Sequence, residues 1–262
     1  NMPHTRIQIY EIQTPEEANQ MIDLGVDHIG SVIVSEKGWK SPELRATIDQ
    51  VRSSSSKSSL IPLFSHPDSI FRTLDYYQPD IVHFCESLYD PTGNENICRP
   101  LIRLQEQIKK KFPEISIMRS VPITPRQMSS LVPTLRIAQL FEAVSDFFLT
   151  DTIMIDKQVP PADNRQPVNG FVGLTGQTGD WDLAAQLVAS SKIPVILAGG
   201  ISPDNVYDGI RRIRPFGVDS CTRTNAVNPG GKAIRFKKDP DKVSRLIGEV
   251  RRADQDMDGN IC

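Results

Sequence analysis

Short apolar or β-branched runs alternate with longer segments of helical period from one end of the chain to the other. The run "RIQIY" is followed by "TPEEANQMIDLG", in which Thr14 stands as an N-cap, Pro15 at the first helical position, Glu17 three residues after the cap and Gly25 at the stop. "DHIGSVIV" leads in the same way to "SPELRATIDQVR", where Ser41 and Pro42 repeat the start signal. "LIPLFS" precedes "HPDSIFRTLDYYQ", "DIVHFCE" precedes "RPLIRLQEQIKKKFPE", and "ISIMRSVPI" precedes "TPRQMSSLVPTLRIAQLFEAVS". "DFFLTD" is separated by a long loop from "DWDLAAQLVASSK"; "PVILAGG" with "ISPDNVYDGIRRIRP", then "GVDSC" with "DPDKVSRLIGEVRRAD", complete the series. Eight such units with no second regime of composition predict a single-domain α/β fold, a (β/α)8 TIM barrel over residues 2–253, followed by an acidic tail at 254–262. Asn1, ahead of Met2, is set aside as the remnant of an expression tag. The run "SSSSKSS" at 53–59 reads as a flexible linker between helix and strand.

In a barrel of this kind chemistry sits where strands end and the following loops begin. In "DIVHFCE", Val82 and Phe84 suit the face that helices cover, which turns His83 and Cys85 toward the barrel axis. The same logic makes Tyr10, His66, Arg119, Asp151 and Arg223 candidates for the rim. His83 is the candidate base, because an imidazole titrates near neutrality. Gly199 and Gly200 in "AGGIS" lack Cβ atoms, so backbone amides there can approach a phosphate closely. Arg119 and Arg223 are the guanidinium candidates for binding the substrate, Arg223 either blocking the phosphate cradle or giving the same anion a bidentate contact.

Composition narrows the partners. The chain has 262 residues, with Lys and Arg numbering 30 against 32 Asp and Glu, and a formal charge of -2, so no basic field favours nucleic acid or an anionic membrane. An anionic ligand must be held locally, and a phosphorylated small molecule is the expected partner. The N-terminal segment lacks a signal-peptide pattern and no apolar run is long enough to span a bilayer, which predicts a cytoplasmic protein with no assigned oligomeric state. Cys85, Cys98, Cys221 and Cys262 have no CxxC spacing and read as free thiols. Nothing matches a nucleotide fingerprint, and no cofactor is expected. His66, His83, Cys85, Glu11 and Asp151 mix metal-ligand types, but strand parity ties together only His83 and Cys85, so no metal site is assigned. The tail "DQDMDGNIC" imitates the first half of an EF-hand loop without its bidentate glutamate and reads as solvated.

The segment "PVILAGGISPDNVYDGIRRIRPFGVDS" resembles the seventh and eighth units of the phosphoribosylanthranilate isomerase family, the tryptophan-pathway barrels that perform an Amadori rearrangement. "GLTGQTGDWDLA" resembles the family's glycine-rich "GGTGKTFDW" loop and contributes Gly176 as a phosphate or substrate contact. "FLTDT" resembles the family's sixth strand end, which implies Asp151 as the general acid. Other positions depart. Tyr10 stands at the cysteine base of "KICG" and Glu11 at its glycine, Gly38 falls at a substrate-binding arginine, and His83 and Cys85 occupy the Gln and His of "QLHG". Glu11, His83 or Cys85 would then take the base role beside Asp151. These departures predict weak or absent turnover of the parent substrate. They leave three readings: an isomerase of the parent type, a barrel acting on another phosphorylated sugar, and a catalytically silent binding or regulatory barrel.

Overall fold

The computed structural model describes residues 4–153 and 178–259. Eight parallel strands close into a barrel: β1 (Arg6–Ile9), β2 (His28–Ile33), β3 (Lys57–Pro62), β4 (Ile81–Phe84), β5 (Ser116–Ile123), β6 (Phe147–Thr152), β7 (Val195–Leu197) and β8 (Gly217–Ser220). Closure is direct, since β1 pairs with β2 on one side and with β8 on the other. The surrounding helices are α1 (Pro15–Leu24), α2 (Pro42–Arg52), α3 (Pro67–Tyr77), α4 (Cys98–Lys111), α5 (Thr134–Phe141), α6 (Trp181–Ser190), α7 (Val206–Ile213) and α8 (Pro240–Asp258).

The start signals work as the sequence requires. Thr14 Oγ1 accepts from the Glu17 amide at 3.2 Å while Glu17 Oε2 accepts from the Thr14 amide at 3.1 Å, so two of the helix's orphan donors are satisfied reciprocally. Gly25 ends α1 at φ 88, a left-handed conformation that favours a residue without Cβ. Outward-facing Leu60, Val82, Phe84 and Ile117 pack against Leu44, Ile48, Leu74, Leu104 and Ile108 of the helix layer. Inside the barrel, Ile81, Met118, Leu149, Ile196 and Ala198 form an apolar plug toward the N-terminal ends of the strands.

Several elements differ from their sequence readings. Ser58 and Ser59 belong to β3 rather than to a linker, because Asp80 accepts from the Ser58 amide at 2.8 Å and ties the strand into the sheet. The segment after β5 forms a 3-10 turn at Arg126–Leu131, and the α-helix begins only after Pro133. Residues 254–258 of the acidic tail belong to α8, and Asp254 is buried and accepts from Thr5 Oγ1 at 2.5 Å. Between β8 and α8, where sequence shows only a connection, the chain forms an antiparallel hairpin, β9 (Asn225–Val227) and β10 (Ala233–Lys238), whose register shifts between Ala233 and Lys238. No helix among the described residues is long and apolar enough to cross a membrane.

Candidate active site

Two polar layers lie within the barrel, the lower one level with the apolar plug, since Gln8 Nε2 touches Met118 and His28 packs on Phe147 toward the N-terminal end. In the first, Gln8 of β1 donates to Asp219 Oδ2 of β8 at 2.9 Å and meets His28 Nδ1 of β2 at 3.0 Å through its carbonyl. In the second, Tyr10, one residue past β1, reaches across the barrel to His83 Nδ1 at 2.7 Å and also bonds Ser59 Oγ; His83 Nε2 meets Ser120 Oγ at 2.8 Å. Bonds between β1 and β4 must pass through the interior, so Tyr10 and His83 face the axis. Gly30 makes room for them, because a Cβ there would overlap the Tyr10 ring.

This second layer is a locked network. His83 is buried, and desolvation, aided by the charge of Arg119, lowers its pKa to about 3, leaving a neutral ring at physiological pH. Burial pushes the Tyr10 hydroxyl well above its usual range and does the same to the Cys85 thiol, on which Glu86 and Asp151 act further in the same direction. Cys85 is 4% exposed. Neither the phenol nor the thiol is ionised near neutrality, and His83, engaged at both nitrogens, is a weak base.

Asp151 occupies the penultimate position of β6 and is partly open at the C-terminal mouth. Desolvation, then the charge of Asp219, raises its pKa to about 8, against the lowering effect of the Thr152 amide, which donates to Oδ1 at 3.0 Å. Its other oxygen meets no donor among the described residues. Asp219 is pushed up to about 7 by burial, opposed by its bond from Gln8 and the charge of Lys238. The two acids sit on β6 and β8, flanking β7. Sequence reading missed Asp219, although "GVDSC" carried the same signal as the fourth strand: Val218 belongs with the helix-facing cluster, so Asp219 must face inward.

Glu11 is 1% exposed and sits at φ 67. Its Oε1 accepts from Arg235 Nε at 2.7 Å and its Oε2 from the Phe236 amide at 3.2 Å, so the hairpin is fastened over the end of β1. Phe236 and Cys221 pack against the cluster that contains Tyr10, Val32, Ile61, Cys85 and Ile153. Burial drives the Cys221 thiol up to about 12. Lys238 Nζ donates to Cys221 O at 2.9 Å and to Asn225 Oδ1 at 2.5 Å.

Two candidates lie away from this mouth. Arg119 pairs in register with Phe84 and faces the helices, where it is fully buried between the Phe84 and Phe141 rings, donating to Glu86 Oε2 at 2.5 Å and Gln105 Oε1 at 2.7 Å. It therefore does not reach a ligand at the rim; the apolar residues on both faces of β5 hide its direction in sequence. His66 is an exposed helix N-cap with no capping bond from its side chain. Gly176 lies outside the described residues.

At the end of β7, Gly199 and Gly200 take φ values of 92 and 65 in succession. A Cβ on Gly199 would overlap Thr152 Oγ1. The amides of both glycines meet no acceptor among the described residues, leaving donors turned out of the strand ladder. Beyond them opens a cleft of ≈ 390 Å³ lined by Ser202, Thr222, Arg223, Lys242 and Arg245, with Asp204 paired to Arg245 at 3.0 Å. The cationic lining brings Arg223 to the same side of the barrel as the glycine turn. No group of three or more His, Cys, Asp or Glu side chains that could hold a metal occurs among the described residues.

The family model for N-(5'-phosphoribosyl)anthranilate isomerase matches residues 114–245, half of the chain. N-(5'-phosphoribosyl)anthranilate isomerase 1 of Methanosarcina mazei is 27% identical over 260 residues, covering 95% of this chain and 96% of its own length. A solved phosphoribosyl anthranilate isomerase from Thermotoga maritima superimposes with a TM-score of 0.66 at 20% identity, covering 95% of this chain and 99% of its own. Another solved isomerase structure, in complex with reduced 1-(o-carboxyphenylamino)-1-deoxyribulose 5-phosphate, gives a TM-score of 0.65 at 20% identity and the same coverage. The expectation of weak parent activity finds no support in these names, each of which is an isomerase.

Proposed function

The chain belongs to the phosphoribosylanthranilate isomerase family, and from that premise we propose that it isomerises N-(5'-phosphoribosyl)anthranilate to 1-(o-carboxyphenylamino)-1-deoxyribulose 5-phosphate. The observation that carries this reading is Asp151: a carboxyl at the barrel mouth that keeps its proton to about pH 8 is a general acid available at neutrality. In this reading the phosphate takes the Gly199 and Gly200 amides, whose left-handed turn supports it, beside the cleft that Ser202, Thr222 and Arg223 line. Asp151 gives its proton to the furanose ring oxygen, the C1–O bond breaks, and the anilino nitrogen supplies the electron pair that forms the iminium. A base then removes the C2 proton, and the resulting enolamine tautomerises to the aminoketone. Asp219 is the base that this reading assigns, since its charge acts on Asp151 and on Tyr10, one oxygen is anchored by Gln8, and its pKa of about 7 leaves a sizeable ionised fraction at neutrality. Glu11, His83 and Cys85 shape the pocket: Glu11 is engaged by the hairpin, His83 holds Tyr10, and Cys85 fills the wall.

The second reading, a barrel that binds without turnover, is favoured by Tyr10. Its hydroxyl is engaged by Ser59 and His83 and cannot replace a thiolate base. Expression in a bacterial strain lacking its own isomerase separates the two. Growth without tryptophan that is lost with Asp151→Asn supports the isomerase; no growth despite normal accumulation of folded protein supports the silent barrel.

A further inference from the structure

The hairpin contact with Glu11 contains two features that ordinary packing does not require. Glu11 and Phe236 both occupy left-handed backbone conformations, at φ 67 and φ 62, and they face one another through the bond from the Phe236 amide to Glu11 Oε2. For side chains of this size such conformations are strained and persist only where the surroundings impose them. The register shift in the hairpin falls in this same stretch, which is how a bulge re-aims a side chain. The side chain so placed is Arg235.

Arg235 is anchored at one end of its guanidinium only. Nε donates to Glu11 Oε1, and the group stacks over the Phe236 ring at 4.6 Å, so the plane is fixed. Nη1 and Nη2 meet no acceptor among the described residues, and the side chain keeps 37% exposure. A guanidinium held at Nε with its two-nitrogen edge open offers the paired donors that a carboxylate accepts. Several other cations on this side of the barrel are placed differently. Lys238 is engaged by Cys221 O and Asn225, Arg119 faces the helices, and Arg223, Lys242 and Arg245 line the cleft beyond β7 and β8.

We infer that Arg235 recognises the carboxylate on the aromatic half of the substrate, with Glu11 as the residue that positions it. This rests on the isomerase reading, in which the substrate carries a phosphate at one end and an aryl carboxylate at the other. The phosphate takes the glycine turn and its cationic cleft, and the carboxylate takes the separate fork above β1. Glu11 then has a role that its position alone does not reveal: it neutralises Arg235 on one side only and holds the free edge toward the ligand.

The test is titration calorimetry with two ligands, reduced 1-(o-carboxyphenylamino)-1-deoxyribulose 5-phosphate and its phenylamino counterpart lacking the carboxylate. Wild-type protein is expected to prefer the carboxylated ligand by about 10- to 100-fold, the range of a charge-assisted hydrogen-bonded pair. Arg235→Gln should bring that ratio near one while leaving the affinity for the phenylamino ligand unchanged. Because Arg235→Gln leaves Glu11 buried without its partner, Arg235→Lys serves as the second variant; it keeps the charge, loses the fork, and should give an intermediate ratio. Glu11→Gln should lower the ratio without weakening the phenylamino ligand, a pattern that a purely structural role would not produce. A wild-type ratio near one, or a full ratio retained in Arg235→Gln, overturns the assignment while the isomerase reading stands. Failure of wild-type protein to bind either ligand overturns both.

Discussion

Replacing Asp151 by Asn should make the barrel more stable, and increasingly so as pH rises. In the unfolded chain this carboxyl loses its proton near pH 4, whereas in the folded protein burial and the neighbouring Asp219 hold it to about 8. Between those values the native state binds a proton that the unfolded state has released, so stability falls as pH increases through the window and the loss is complete above the folded value. Below pH 4 both states are protonated and the group contributes nothing to the slope. The maximum slope for one carboxyl is about 1.4 kcal/mol per pH unit. Because Asp151 remains partly open to solvent and is coupled to Asp219, a total of about 2–3 kcal/mol between pH 5 and pH 8 is the appropriate scale. Asn keeps the acceptor for the Thr152 amide, so the substitution removes the titration with little change in hydrogen bonding. Urea denaturation of wild type and Asp151→Asn at pH 5, 6, 7 and 8 reads the effect as a growing difference in midpoint at constant m. The Asp151→Asn, Asp219→Asn double variant should flatten the profile further. A difference independent of pH, or a variant that loses stability more steeply than wild type, would refute the reasoning that the mouth withholds solvation from this acid.

Tyr10→Phe should destabilise by about 1–3 kcal/mol, since Ser59 and His83 lose a buried partner, yet leave kcat nearly intact; a large fall in kcat at unchanged thermal midpoint would show Tyr10 in the chemistry. Millimolar ribose 5-phosphate should raise the thermal midpoint of wild type and not that of Gly200→Val, whose branched side chain is strained at φ 65 and would crowd the amides of the turn; equal shifts in both would move the phosphate elsewhere. Arg119→Met should cost about 3–5 kcal/mol in urea denaturation, because Glu86 is left buried without its partner, while ligand affinity in the folded fraction stays the same; weakened ligand binding would return Arg119 to the site.

The barrel was legible because its units repeat with clear start signals, such as Thr14 with Glu17 and Ser41 with Pro42, and each was found at a helix start. The inward direction of His83 and Cys85 followed from apolar neighbours of opposite parity. Arg119 could not be read this way. Met118 packs in the barrel interior and Ile117 against the helices, so β5 is apolar on both faces and parity carries no information. The serines of β3 misled for a similar reason: a low-complexity run looks like solvent-exposed linker unless its partners, the half-buried Asp80 and the buried Tyr10, are known. The Glu11 contact was invisible because it joins residues separated by more than two hundred positions and depends on a hairpin whose bulge has no sequence signature. Asp219 carries the same parity signal on β8, where helix-facing Val218 turns it inward.

The most direct test of the account is the pH dependence of kcat/KM for phosphoribosylanthranilate with purified protein. Asp219 must be ionised and Asp151 protonated, so activity should fall below about pH 7 and again above about pH 8. Asp151→Asn should lower it by about 10²- to 10⁴-fold, and Asp219→Asn should remove the acidic limb along with most of the rate. Absence of turnover at every pH, or a profile unchanged by Asp151→Asn, would contradict the assignment of this mouth as an acid–base isomerase site.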